Sequence, residues 1–196
     1  MRRCLSIIIS SLFVTTLLTS CSSNSNLPFN QGFVSSCAGI DTSDISSNEL
    51  LLDCLDGSGA VNFYSIKGPI VVNVWGSWCE GCRQEMPYFV ELYQNEIFKN
   101  GEVKLLGVDI EESSRQIGIN FIKAYGMSWP HLEDLAGKTK ILFGPGAPVT
   151  WFIDENGVLA GKHIGAYSSS DLLYSHIEKF LNLDPKKYRY DNPTNN

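Results

Sequence analysis

The sequence predicts an α/β protein of three layers, a central mixed β-sheet flanked by helices and preceded by an N-terminal extension. Three observations predict it. Short β-branched and aromatic runs at Ile70–Trp75, 103–109 and Val149–Ile153 have the length and composition of buried strands. Stretches with apolar residues at helical spacing lie between and after these runs. Residues 36–183, roughly 150 in all, match the size of one domain and are enough to bury a core.

Taken in order, the chain opens on Arg2 and Arg3, followed by a broken apolar run over 5–18. This matches the charged and apolar regions of a secretory signal. A spanning helix needs about 20 apolar residues, and this run is shorter and interrupted by Ser10, Ser11, Thr15 and Thr16. Leu18-Thr19-Ser20-Cys21 then resembles a bacterial lipobox, in which cleavage exposes a cysteine for lipidation. The plainer alternative is an ordinary cleaved signal that ends near a cysteine. On the lipobox reading residues 1–20 are removed and Cys21 carries the lipid, which anchors the protein to the outer face of the cell membrane. Residues 21–35, rich in Ser and Asn, read as a flexible tether, and 184–196 as a polar tail.

The whole chain has a net charge of −6. Removing Arg2 and Arg3 with the signal leaves 13 basic against 21 acidic residues, a net charge of −8. No basic stretch remains to grip nucleic acid or an anionic membrane surface, so membrane contact falls to the lipid.

Of six cysteines, Cys4 leaves with the signal and Cys21 takes lipid. Cys37, Cys54, Cys79 and Cys82 remain, and an even number in an exported chain favours two disulfides. A structural bridge between Cys37 and Cys54 would close a loop of about 18 residues and add about 3 kcal/mol on the chain-entropy model. The competing reading is a four-cysteine zinc site, which usually shows two close pairs; 37 and 54 are not one. No metal site or cofactor is expected beyond a redox-active Cys79–Cys82 pair.

That pair lies where a strand gives way to a helix. Gly76 and Ser77 break the run of Ile70–Trp75. Met86, Phe89, Val90, Tyr93 and Ile97 then recur on one helical face. Cys79 is therefore expected at a helix N-terminus, where unpaired N–H groups and the helix dipole favour negative charge. This makes Cys79 the attacking thiol, ionising below the free value of about 8.5, and Cys82 the more buried resolving thiol.

Residues 71–87, with Trp78-Cys79-Glu80-Gly81-Cys82 at their centre, resemble the core of the TlpA/ResA/DsbE branch of thioredoxin-like proteins. The resemblance extends through 103–109, the helix face of Ile117, Phe121, Ile122 and Tyr125, the link at 126–130, and 148–157. It covers about 55–183 and is weaker over 37–54. It implies a thioredoxin-like fold and dithiol–disulfide exchange on exported proteins. It also implies a cis Pro148 beside the disulfide which, with Ala147 and Trp78, contacts substrate. The plainer alternative for Pro148 is an ordinary loop proline. Glu85 corresponds to a glutamate that moves protons at the thiols in relatives; otherwise it is a solvated first-turn acid. Asn73 stands where ordinary thioredoxins carry a buried aspartate, which leaves the proton role to Glu85. Glu80 beside Cys79 opposes ionisation and favours a reductant, while Gly81 in place of proline loosens the turn.

His131, His163 and His176 are read as scattered on a loop, a strand end and a helix, with packing or surface roles. Trp75 and Trp78 form the wall and rim of the site, with core packing the alternative for Trp75. Residues 168–171 cap the last helix, whose face is Leu172, Leu173, Ile177, Phe180 and Leu181. A peroxidatic site with Thr before its Cys is absent from the sequence. The resulting expectation is a reductase of exported disulfides, such as those of apocytochrome c, supplied by a membrane thiol transporter of the DsbD/CcdA type. An oxidase running the reverse reaction and a thiol-based metal carrier remain as alternatives.

Overall fold

The computed structural model describes residues 31–43 and 48–184. The expected signal peptide, the lipidation site Cys21, most of the tether and nearly all of the tail lie outside the described residues. The tether ends earlier than expected. Gly32 N–H donates to Lys123 O (3.2 Å), Phe33 N–H to Met127 O (3.0 Å) and Ser35 Oγ to Ser128 O (2.7 Å). Residues 32–35 therefore belong to the folded body.

Strands β1 (Leu51–Cys54) and β2 (Ala60–Asn62) form a hairpin ahead of β3 (Ile70–Trp75). Helix α1 (Glu80–Tyr93), the one-turn α2 (Glu96–Lys99), β4 (Lys104–Ile110), α3 (Arg115–Tyr125) and β5 (His131–Asp134) follow. The chain continues through the one-turn α4 (Lys140–Phe143), β6 (Val149–Ile153), β7 (Leu159–Ile164) and α5 (Ser170–Leu181). The seven strands lie in the order β2-β1-β5-β4-β3-β6-β7. β3, β4 and β5 run parallel, whereas β1, β2, β6 and β7 pair antiparallel.

Every residue of β3 is buried, as its uninterrupted apolar run requires of a central strand. The sheet separates two apolar layers. Under α1, α3 and α5, Val71, Trp75 and Phe152 pack with Met86, Phe89, Ile122, Leu173 and Ile177. On the other face Val72, Val74, Leu106 and Val108 pack with Phe63, Phe143 and the Cys37–Cys54 bridge. That second face is covered by α4, short 3-10 turns and the N-terminal segment, and the three long helices all share the first.

Several elements differ in detail from the sequence expectation. Ile97 does not continue the face of α1, because Asn95 caps a new turn by accepting from Ile97 N–H (3.1 Å). Ile117 and Leu172 sit at exposed edges of their helices. His131 is not on a loop. It begins β5, fully buried, in a strand whose charged neighbours Glu133 and Asp134 disguise it as polar loop. Ser169 caps α5 through its hydroxyl, and Gly157 with φ 82° closes the β6–β7 turn, which Asp154 braces through Asn156 N–H (2.9 Å).

Candidate active site

Cys79 is the N-cap of α1, and its sulfur accepts from Cys82 N–H (3.1 Å). The two cysteines form a disulfide with Cα atoms 5.3 Å apart. Cys79 keeps 5% exposure and Cys82 none, so Cys79 is the more accessible of the two. Aligned N–H groups at the mouth of α1 stabilise a thiolate there.

The loop before Cys79 is fastened at several points. Ser77 N–H donates to Glu112 Oε1, and Ser77 O accepts from Arg83 Nη1. Trp78 Nε1 donates to Ile110 O (3.2 Å), and Cys79 N–H to Gly76 O (3.0 Å). A Cβ on Gly76 would meet the Trp78 indole at 2.6 Å, so glycine is required beneath that ring. Trp78 itself is 48% exposed and forms the rim. Trp75 is fully buried, stacked on Phe121 with ring centroids 4.9 Å apart, and belongs to the core.

Opposite the disulfide the Ala147–Pro148 peptide is cis. Pro148 O accepts from Gly165 N–H (3.0 Å), which ties this loop to the end of β7. A Cβ at Gly81 would stand 3.2 Å from Pro148 Cδ and 3.4 Å from Ala166 Cβ. Gly81 thus lets the proline loop close over the turn between the cysteines. A second cis bond, Gly68–Pro69, lies ahead of β3 and was not expected from sequence.

Glu85 projects from α1 into the layer above the sheet and is fully buried. It is not a solvated first-turn acid. Its Oε1 accepts from Asn73 Nδ2 (2.8 Å) and its Oε2 from Tyr167 N–H (3.0 Å). Burial pushes its carboxyl up to about 7 against the pull of those two bonds. Glu80, by contrast, is exposed and pairs with Arg83 (3.3 Å).

Cys37 and Cys54 are also joined, with Cα atoms 6.1 Å apart. Among the described residues, only their sulfurs and the Asp56 carboxylate come close enough together to suggest metal ligation, and both sulfurs are tied in the bridge. The structure also brings to the site residues that sequence reasoning passed over. These are Arg83, Glu112, Tyr167 and Asp109, the last at the end of β4. Asp109 is fully buried, neither oxygen has a hydrogen-bond partner, and a Cβ on Gly118 would overlap its carboxylate. Burial, then Glu112 and Glu133, push its carboxyl up to about 9. The available signal was a charged residue near the end of an otherwise apolar strand.

A sulfur pair at a helix mouth, beside a proline loop and above a carboxyl of near-neutral pKa, is built to exchange disulfides. The protein is a thiol–disulfide oxidoreductase of the thioredoxin fold. Residues 48–162 match the AhpC/TSA family, and the chain belongs to that family. The ResA thiol-disulfide oxidoreductase of Bacillus anthracis is 29% identical over 130 residues, covering 66% of this chain and 68% of its own. ResA of Geobacillus thermodenitrificans is 32% identical over 116 residues, covering 59% and 64%. StoA from Bacillus subtilis superimposes with TM-score 0.53 at 24% identity, over 66% of this chain and 96% of its own. The exposed lipoprotein thioredoxin Etrx1 of Streptococcus pneumoniae does so with TM-score 0.53 at 25% identity, over 67% and 98%. No helix among the described residues is long and apolar enough to cross a membrane.

Proposed function

We propose that the protein is a lipid-anchored, extracytoplasmic reductase of disulfides in exported proteins. The observation that carries this reading is the Cys79–Cys82 pair at the N-terminus of α1, with the buried Glu85 carboxyl on the same helix. The Cys79 thiolate attacks one sulfur of a substrate disulfide, forming a mixed disulfide and releasing a substrate thiolate that takes up a proton. Cys82, deprotonated with Glu85 as acceptor, attacks the Cys79 sulfur and expels the second substrate thiolate. The enzyme is left oxidised and the substrate holds the two electrons. Trp78, Ala147 and Pro148 line the approach, with the proline loop offering backbone to an extended substrate segment.

Charge supports the reducing direction. Once ionised, Glu85 opposes a second thiolate at Cys82, one helical turn away, so the reduced pair gains little from ionisation beyond Cys79 and gives up electrons readily. Anchoring rests on the lipobox ending in Cys21, and the resemblance to a lipoprotein thioredoxin supports it. Apocytochrome c before haem attachment is a substrate of the right chemistry, and a DsbD/CcdA-type membrane transporter is a fitting electron donor.

The test is a Cys82→Ala variant, whose Cys79 should stay covalently joined to exported partners that mass spectrometry then identifies. A Cys79–Cys82 potential near about −270 mV supports the reductant, and one near about −120 mV reverses the direction.

A further inference from the structure

A polar stripe crosses the helix-covered face of the sheet. Strand register sets His131, Gly107, Asn73, Thr150 and His163 side by side on β5, β4, β3, β6 and β7. One neighbouring row on that face, Leu105, Val71 and Phe152, is apolar, and the other holds Trp75, Asp109 and Glu133. The His131 ring occupies the space over Gly107, where a Cβ would overlap it.

Four side-chain atoms in this stripe are buried without a hydrogen-bond partner: His131 Nε2, Asn73 Oδ1, Thr150 Oγ1 and His163 Nε2. Buried polar groups are nearly always satisfied, by protein or by ordered water. These four are not scattered. They occupy one register row, and directly opposed side chains on adjacent strands have Cβ atoms about 4.5–5.5 Å apart, which suits single bridging waters.

The stripe has an inner and an outer end. Asn73, through its other amide atom, holds Glu85. His163 lies half-buried on the edge strand β7, stacked on Tyr167 with centroids 4.2 Å apart and 5.2 Å from the His176 ring. Glu85 has no exposure of its own. It is enclosed by Asn73 below, Tyr167 N–H to one side and the apolar side chains of α1. A proton that Glu85 exchanges with the medium needs a path.

We propose that Asn73, Thr150 and His163 form a water-bridged path that carries protons between Glu85 and solvent at the sheet edge. The inference rests on Glu85 acting as the proton carrier. In the inward direction, solvent protonates His163 at one ring nitrogen while the other gives its proton to a bridging water. The Thr150 hydroxyl and the waters each accept one proton and pass one on, and the last reaches the Glu85 carboxylate. One proton moves and no electrons do. Asn73 transfers nothing; its Oδ1 holds the inner water beside Glu85. His131, whose Nδ1 accepts from Trp75 Nε1 (3.2 Å), carries its proton on Nε2 and closes the inner end as a donor. The titratable and charged groups set against the path are Glu85 on α1, Tyr167 on the loop before α5, His176 with Lys179 beside it on α5, and, one register step along the same face, Asp109 on β4 and Glu133 on β5. Asn73, Thr150 and His163 are positioning and relay residues, distinct from the thiols that meet substrate.

The test is single-turnover reduction of the full chain by dithiothreitol, followed by tryptophan fluorescence from about pH 5 to 9 in light and heavy water. Thr150→Val should slow the reaction about tenfold near pH 7, enlarge its solvent isotope effect and flatten its pH profile. Thr150→Ser should restore all three. His163→Phe, which keeps an aromatic ring against Tyr167, should reproduce the loss on a side chain at the sheet edge even where Thr150→Val folds poorly. Wild-type rates and profiles in both Thr150→Val and His163→Phe, with Glu85→Gln impaired, would overturn the path alone. A Glu85→Gln variant with the wild-type profile would overturn the reading of Glu85 and the path with it.

Discussion

The two disulfides among the described residues are almost equally buried, yet only one is built to react. Cys79 and Cys82 keep 5% and 0% exposure, and Cys37 and Cys54 keep 5% and 2%. Surroundings separate them. The first pair caps a fourteen-residue helix, beside an exposed tryptophan rim and a proline loop. The second joins a 3-10 turn to the end of β1 on the opposite face of the sheet, in an apolar cluster, with the Asp56 carboxylate nearby. Both pairs lie in apolar clusters with a carboxyl nearby, so what sets the first apart is the helix N-terminus at Cys79, which favours a thiolate. Electrostatics at the sulfur, more than exposure, divides the reactive bridge from the structural one.

The sharpest way to break this comparison is to remove each pair in turn. Cys79→Ser should lower disulfide exchange at least about a thousandfold, measured with a small disulfide substrate, because the remaining thiol of the pair, Cys82, is fully buried. Replacing Cys37 and Cys54 together with serine should leave that rate within about twofold. It should instead cost about 3 kcal/mol in denaturant unfolding, as expected for a cross-link closing a loop of this length. An exchange defect in the second variant would mean that the pairs are coupled.

A second contrast sharpens the first. Glu85 and Asp109 are both buried carboxyls, but Glu85 has two hydrogen-bond partners while Asp109 has none. The folded pKa of Glu85, about 7, lies above its ordinary value of 4.5. Its contribution to stability is therefore complete below about pH 4.5 and is lost as the pH rises through about 7, a fall of about 3 kcal/mol. Glu85→Gln should be stabilised relative to the parent at pH 8, and this advantage should vanish near pH 4. Asp109→Asn should shift stability in the same direction, by at least about 2 kcal/mol at pH 7, because it removes a buried acid facing Glu112 and Glu133. Urea titrations at several pH values measure both. A smaller gain for Asp109→Asn than for Glu85→Gln would contradict the contrast between an isolated and a partnered carboxyl.

Much of this was legible in the sequence because the signals are local. The run Ile70–Trp75, the Cys-x-x-Cys after it and the helical periodicity of Met86, Phe89 and Tyr93 are each contained in a few residues. The β5 strand was hidden because His131, Glu133 and Asp134 are polar residues buried by tertiary packing, which overrides pattern. The fastening of Ser77 by Glu112, and the alignment of Asn73 with Thr150 and His163, depend on strand register. No window of the sequence contains register between strands that lie far apart in the chain.

The most direct test of the central claim, an electrostatically activated Cys79, is the pH dependence of alkylation in the fully reduced protein. A single cysteine should react first, peptide mapping should place it at position 79, and its titration midpoint should fall below the free thiol value of about 8.5. First reaction at Cys82, Cys37 or Cys54, or a midpoint at Cys79 above that value, would contradict the account.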